Sequence, residues 1–535
     1  MRSLLHGSSV IIGFHATLAL LPLNAAWADS LIRTFRSPNA QPAGRFGWCV
    51  ATSDPTVQLP AVIIGAPQED SGEAPSAGMV YAFDAGDASL LAAYAPVVPQ
   101  VHGRFGFAVA LPGDLDGDGQ GDLVVGAPGE DGDGDAADAG RVHVLSGASG
   151  VTIRILSSPE PEPAGCFGWS VLALGDITGD GVCDLAVGAP GEMPGASRCN
   201  VGRAYLFSGA DGEIIRALDA PVQVPDGRFG SSMAVLNGLA GGVIAAGVPT
   251  ADDSASGAVF LFGSDGVLQR TLISPGAVPG GRFGSAVAGG GDLDNDGSPD
   301  LLVGAPGEGG GSAYVLDVEN GLLLAAFHPP PSVGVAFFGR AVGWAGDVDD
   351  DGLSDAVVSY LVDGAEGWTG EVSAFGSTGE RIVDLSAPEA SGSSFGWSTA
   401  PLGDVDGDGR DDLAIGAYGA VGGGGEDEAG CVYLMRPSPA AGFAAPEVLR
   451  LVGPWPNPAG EHAYLFIPGI VAGGIRSVLY DAGGRHVARA TVRPSSGEDG
   501  TELELSLPHT LPSGVYWWST AAERCSAVRS LVVMR

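Results

Sequence analysis

Positive charge is scarce in this chain: 25 basic residues stand against 63 acidic ones, for a formal net charge of −38. A nucleic-acid phosphate backbone would be repelled, and so would an anionic membrane surface. Multivalent cations are the natural counter-ions. Also missing are uninterrupted windows in which a helix could run, because 88 glycines and 38 prolines punctuate the sequence. Low hydrophobicity is not the explanation, since 45% of the residues are hydrophobic, and that excludes general disorder. Many short strands joined by tight turns remain, an all-β class. There is no CxxC and no HExxH, so no zinc site is expected. Six cysteines suit an oxidising compartment. Cys183 and Cys199 flank one strand and could pair, whereas Cys49, Cys166, Cys431 and Cys525 suggest no definite partner.

Past the first residues no stretch is long or apolar enough for a membrane helix. Those first residues read as an export signal. Arg2 gives the positive start, Val10 to Leu21 is mostly apolar, and Ala26-Trp27-Ala28 is a small-residue cleavage site. The signal peptide is expected to span 1–28, and the mature chain to begin at Asp29. The product is expected outside the cell or on its outer surface. At 535 residues the chain is too long for a single hydrophobic core.

Internal repetition dominates the rest. A Phe-Gly pair recurs at Phe46, Phe105, Phe167, Phe229, Phe283, Phe338 and Phe395. Each pair is followed by a short apolar run, such as LVVGAP at 123–128, LAVGAP at 185–190 or AVVSY at 356–360. A third run follows, such as RAYLF at 203–207 or CVYLM at 431–435, and most copies add a fourth, such as VTIRILSSP at 151–159. Runs of this composition between turn residues are strands. Seven four-stranded meanders predict a seven-bladed β-propeller, because so small a sheet needs its neighbours to cover both faces. The seventh copy ends after CVYLM without a fourth strand. Leu31 to Pro38 has the fourth-strand pattern, so the N-terminal strand is expected to complete the last blade and close the ring.

Five repeats carry the spacing D-x-[DT]-x-D-G-x-x-D between their first two strands. The residues are Asp114, Asp116, Asp118 and Asp122; Asp176, Thr178, Asp180 and Asp184; Asp292, Asp294, Asp296 and Asp300; Asp347, Asp349, Asp351 and Asp355; Asp404, Asp406, Asp408 and Asp412. Alternate carboxylates at positions 1, 3 and 5 converge when such a loop curls, and position 9 closes the shell. Glycine at position 6 permits the turn. Backbone carbonyls at position 7 (Gln120, Val182, Ser298, Leu353 and Arg410) complete the expected ligand set. Hard oxygen donors in this number select Ca²⁺ over the smaller Mg²⁺. No Glu stands at position 12 and no helix flanks the loop, which excludes an EF-hand. The copy with Thr178 has one carboxylate fewer and is expected to bind more weakly. Repeats one and four have SDPTVQLP (53–60) and NGLAGG (237–242) instead and are expected to hold no metal. About five Ca²⁺ ions are expected. A further acidic run, Glu130 to Asp138, reads as a solvated loop, with a sixth ion as the alternative.

The combination of Phe-Gly, Asp loop and Gly-Ala-Pro resembles the FG-GAP repeat of the integrin α N-terminal propeller, over about residues 30–437. The resemblance implies Ca²⁺ in the loops on one face and partners on the opposite face. Integrin-style signalling is not implied, because no inserted von Willebrand-type domain, leg domain or membrane helix is seen. The C-terminal series PWPNPAG (454–460), SVLYDAGGRHVARA (477–490), LPSGVYWW (511–518) and AVRSLVVMR (527–535) resembles the sorting domain of bacterial type IX secretion substrates, an Ig-like fold. The expected organisation is therefore a propeller over 29–437, a linker over 438–453 and a small Ig-like β-sandwich over 454–535, with the secretion machinery as a partner.

No catalytic constellation stands out. Gly392-Ser393-Ser394-Phe395-Gly396 matches G-x-S-x-G only by overlapping a Phe-Gly pair, and the strand-to-helix context is lacking. Trp48, Trp169, Trp344 and Trp397 lie near Phe-Gly positions and read as packing residues. The expected function is a non-enzymatic, calcium-dependent adhesion or ligand-binding platform for an extracellular protein or glycan. The alternative is an extracellular hydrolase or lyase, or its accessory module.

Overall fold

The computed structural model describes residues 30–437 except 54–60, 135, 194–199, 237–241, 251–255, 331–333, 350, 365–366, 378, 389–393 and 422–427. Beyond 437 it describes the backbone of seven strands between His462 and Val533. The expected signal peptide and the linker lie outside the described residues, and so does Cys199, the suggested partner of Cys183.

Seven antiparallel sheets follow one another as blades of a β-propeller. Blade 2 is typical. Its strands are Ala108–Gly113, Asp122–Ala127, Arg141–Leu145 and Thr152–Ser157, paired in chain order. The first strand of each blade is innermost and touches the first strands of the blades on either side, which makes a ring around the axis. Second strands are the most buried. Those of blades 2, 3, 4, 5 and 7 are buried along their whole length. They read as continuous apolar runs because both faces are covered by neighbouring blades. Fourth strands such as Ile214–Asp219 lie outermost and are largely exposed.

The repeated motif fixes the seams between blades. All seven Phe-Gly phenylalanines are fully buried. The glycine after each turns the chain with φ between 78° and 87°. In five blades its N–H donates to the carbonyl at the Gly-Ala-Pro glycine position of the same blade, at 3.0–3.1 Å: Gly47 to Gly65, Gly106 to Gly126, Gly168 to Gly188, Gly284 to Gly304 and Gly339 to Ser359. Guanidinium groups on outer strands add bridges. Arg154 donates to the carbonyls of Gly209 and Ala210 at 2.5 and 2.8 Å, spanning blades 2 and 3.

The ring closes as the sequence predicts. Leu31–Arg36 pairs antiparallel with Cys431–Met435, with Phe35 opposite Val432. Phe35 is buried against Phe83 of blade 1, with ring centroids 5.6 Å apart. At the axis, Ser398 of blade 7 donates to the carbonyl of Gly47 at 3.0 Å.

Blade 6 departs from the expected pattern. Its second and third strands run Asp355–Gly364 and Gly367–Phe375, well past AVVSY and EVSAF, and the short strand Val335–Ala336 adds to their outer end. Where blades 1, 2, 3 and 5 have Gly-Ala-Pro, blade 4 Gly-Val-Pro and blade 7 Gly-Ala-Tyr, this one has Ser359-Tyr360-Leu361, with neither the glycine nor the proline to interrupt the ladder. In the C-terminal segment, His462–Pro468, Gly500–Ser506 and Thr491–Pro494 form one sheet. His486–Arg489, Arg476–Tyr480, Gly514–Ala522 and Cys525–Val533 form another.

Candidate metal centres

Each Asp loop hangs between the end of an inner strand and the start of a second strand. The Phe-Gly turn stands at the other end of that inner strand, roughly 20 Å away for six residues. The loop closes on its own first carboxylate. Asp114 accepts the N–H groups of Gly117 at 2.7 Å, Asp118 at 3.2 Å and Gly119 at 2.8 Å. Asp404 does the same with Gly407, Asp408 and Gly409. Position 6 has φ between 86° and 90° in all five loops, which is why glycine is needed there. These N–H groups hold the carboxyls of Asp114, Asp176 and Asp404 below the usual range.

The ninth-position aspartates are different. Asp122, Asp184, Asp300, Asp355 and Asp412 are all buried. One oxygen of each accepts the N–H of position 2, from Leu115, Ile177, Leu293, Val348 and Val405, at 2.7–3.0 Å. In blades 2 and 3 the second oxygen accepts from Gly147 and Gly209, both at 3.0 Å. In blades 6 and 7 the second oxygens of Asp355 and Asp412 are buried without a partner. Burial pushes the carboxyls of Asp300 and Asp412 up to about 7 and that of Asp355 up to about 8. At position 3, burial and then the neighbouring acidic charges push Asp349 up to about 6. Buried acids with unanswered oxygens, crowded by like charge, are what a divalent cation would relieve.

Four loops gather carboxylate oxygens within 4.8 Å of one another: Asp114, Asp116 and Asp122; Asp292, Asp294 and Asp300; Asp347, Asp349 and Asp351; Asp404, Asp406 and Asp412. Such clusters could hold a metal. The loop with Thr178 is not among the four; there the threonine hydroxyl faces Asp176 at 3.4 Å. Position 5 is less central than the sequence suggests. The carboxylates of Asp118, Asp180, Asp296, Asp351 and Asp408 accept the N–H groups of Gln120, Val182, Ser298, Leu353 and Arg410 at 2.8–3.0 Å, and only Asp351 joins a cluster. In blade 7 a guanidinium sits among the acids: Arg436 Nε lies 2.8 Å from Asp406 and 2.9 Å from Asp408. The segments that replace the motif in blades 1 and 4 lie mostly outside the described residues.

The acidic run after blade 2's second strand is tied down by the protein itself. Asp131 accepts the N–H of Asp138 at 3.2 Å, and Asp133 pairs with Arg141 at 3.3 Å. Asp135 lies outside the described residues. Glu130 is buried against His143 at 3.0 Å. This contact belongs to a series that sequence reasoning missed: Glu69 accepts from Tyr81 at 2.5 Å, Glu308 from Tyr314 at 2.5 Å, and Glu192 from Tyr205. The signal was present as a Glu two residues after Gly-Ala-Pro, with a Tyr or His in the middle of the third strand.

At the Phe-Gly end the residues after the motif make an arc of rings. Trp397 lies 4.7 Å from Trp48, Trp48 lies 5.2 Å from Phe107, and Phe107 lies 4.6 Å from Trp169. Arg340 covers Trp397 at 4.5 Å, and Arg45 covers Trp48 at 5.2 Å. Trp344 packs instead against blade 5, donating to the carbonyl of Ala288 at 3.3 Å.

The FG-GAP repeat family matches residues 105–145, 167–207, 283–316 and 395–435, which are blades 2, 3, 5 and 7. The chain is similar to human integrin alpha-8, 34% identical over 244 residues, covering 42% of this chain and 22% of that protein. It is similar to Xenopus laevis integrin alpha-5, 35% identical over 221 residues, covering 38% of this chain and 20% of that protein. Human integrin alpha-IIb is 37% identical over 222 residues, covering 38% and 20%. The chain thus spans about a fifth of the length of the curated relatives it matches. The chain is a seven-bladed, integrin-like β-propeller in which blades 2, 3, 5 and 7 match the FG-GAP repeat.

Proposed function

We propose that this chain is an exported, calcium-binding, non-catalytic platform that binds an extracellular protein or glycan. The observation that carries the reading is the set of carboxylate clusters, four groups of hard oxygen donors within 4.8 Å, built on rigid strands at one end of an integrin-like propeller. Ca²⁺ would be held by positions 1, 3, 5 and 9 of each loop and the carbonyl at position 7, with a weaker fifth site at the Thr178 loop. The ion would supply charge neutralisation and cross-linking of the loop, and the strands supply the geometry. The ligand surface is assigned to the opposite end, where Trp48, Phe107, Trp169 and Trp397 present half-buried rings. Rings of this kind offer large, stiff contact area to a protein or sugar. No helix among the described residues is long and apolar enough to cross a membrane. Residues 1–28 would be removed on export, and 454–535 would form an Ig-like sorting unit engaged by the secretion machinery.

The test is binding of the mature protein to a panel of glycans, matrix proteins and cell surfaces, in calcium and in chelator. Saturable binding that is lost on chelation supports the reading. Absence of binding by folded, calcium-loaded protein, together with turnover of a glycan or phosphoester, would replace it with a hydrolase.

A further inference from the structure

The five loops are not equivalent, because the residue at the end of the third strand differs among the blades: Ser in blades 2 and 3, Asp in blade 5, Gly in blade 6 and Arg in blade 7. Pairing sets this residue opposite the ninth-position aspartate. Asp300 faces Asp317 in blade 5. Leu123 opposite Leu145 brings Ser146 beside Asp122 in blade 2, and Leu413 opposite Met435 brings Arg436 beside Asp412 in blade 7. Ser146 touches its loop weakly, its hydroxyl 3.4 Å from Asp118. Arg436 is the one that carries positive charge.

Four contacts fix it. Its Nε donates to Asp406 at 2.8 Å and lies 2.9 Å from Asp408, and its Nη2 also bonds Asp406. Its backbone N–H donates to the carbonyl of Ser30 at 2.7 Å, beside the strand that closes the ring. The guanidinium therefore occupies one oxygen each of positions 3 and 5, two carboxylates that the proposed cation would draw on. Meanwhile Asp412, at position 9, belongs to the same cluster, is fully buried and has one oxygen without a partner. The cluster is thus incompletely answered by the arginine. A monovalent fork satisfies its outer rim, and one oxygen of the buried acid still lacks a partner.

We propose that Arg436 is a built-in competitor of the blade 7 cation, so that this loop binds Ca²⁺ more weakly than the loops of blades 2 and 5, and that filling it requires the guanidinium to leave Asp406 and Asp408. The inference rests on the calcium reading above. The physics is direct: a unit positive charge within hydrogen-bonding distance of two ligand carboxylates opposes an incoming divalent ion and blocks its lone pairs.

The experiment is calorimetric titration of the full mature chain with CaCl₂, for wild type, Arg436→Gln, Arg436→Lys and the double variant Arg436→Gln/Asp404→Asn. Arg436→Gln is expected to tighten one site by about tenfold or more. Arg436→Lys, which keeps the charge, should tighten it far less, and the double variant should lose that site. A second readout is thermal: the calcium-induced rise in Tm should be larger for Arg436→Gln than for wild type. Unchanged or weakened binding in folded Arg436→Gln, with the other sites still filling, overturns the competitor role alone. No calcium uptake by any variant overturns the calcium reading and this inference with it.

Discussion

The α-carbon of Gly65 rests against the carbonyl of Gly106 in the next blade, so closely that a β-carbon on Gly65 would lie 2.1 Å from that oxygen. The same contact joins Gly126 to Gly168, Gly188 to Gly230, Gly247 to Gly284, Gly304 to Gly339 and, across the closure, Gly416 to Gly47, at 1.9–2.2 Å. The Gly of one Gly-Ala-Pro therefore seats the Gly of the following Phe-Gly. Gly188→Ala must open the seam between blades 3 and 4, and a loss of about 3 kcal/mol or more is expected, in the range of overpacked cores. Gly121→Ala is the control, since nothing lies within 4 Å of the added carbon and its φ is ordinary. It should change stability by less than about 0.5 kcal/mol. Denaturant unfolding of both variants checks the pair.

Closure by the N-terminal strand makes a second prediction. Phe35 is 1% exposed and fills the space between blades 7 and 1. Phe35→Ala should cost about 3–5 kcal/mol. Deleting residues 29–38 removes the outer strand of blade 7 and should lower Tm more than the point change does. An unchanged Tm after the deletion would contradict ring closure.

The blade count, the closure strand and the loop register were legible because each depends on local spacing repeated seven or five times. What escaped depends on contacts between distant segments. Arg436 lies 30 residues from Asp406 and reaches it only because the third strand returns beside the second. The Glu–Tyr pairs join a turn to a later strand in the same way. Asp118 and Asp408 occupy the expected register, yet their carboxylates turn toward Ser146 and Arg436, which no spacing rule conveys. In blade 6 the loss of Gly-Ala-Pro was visible, but the two longer strands and the short added one were not, since blade 7 also lacks the proline and keeps a second strand of ordinary length.

The buried glutamates make stability depend on pH. Burial pushes Glu69 and Glu192 up to about 7, against the hydrogen bonds from Tyr81 to Glu69 and from Ser158 and Tyr205 to Glu192. The folded state therefore holds protons that the unfolded chain releases near pH ~4.5. Stability falls as pH rises from about 4.5 to about 7 and levels off above that. Each group contributes on the order of 1–3 kcal/mol to this fall. Glu192→Gln cannot ionise and keeps an acceptor for Ser158 and Tyr205. It should shrink the difference in Tm between pH 5 and pH 7.5, measured in chelator. An undiminished difference would show that Glu192 is not among the groups responsible.

Calcium uptake by the mature protein tests the central claim most directly. Native mass spectrometry and differential scanning calorimetry, on metal-stripped protein with and without CaCl₂, give the count and the energetic effect together. Four or five bound ions are expected, with a Tm that rises by several degrees, following mass action on the folded state. Folded protein that takes up no calcium, with the same Tm in CaCl₂ and in chelator, would contradict it.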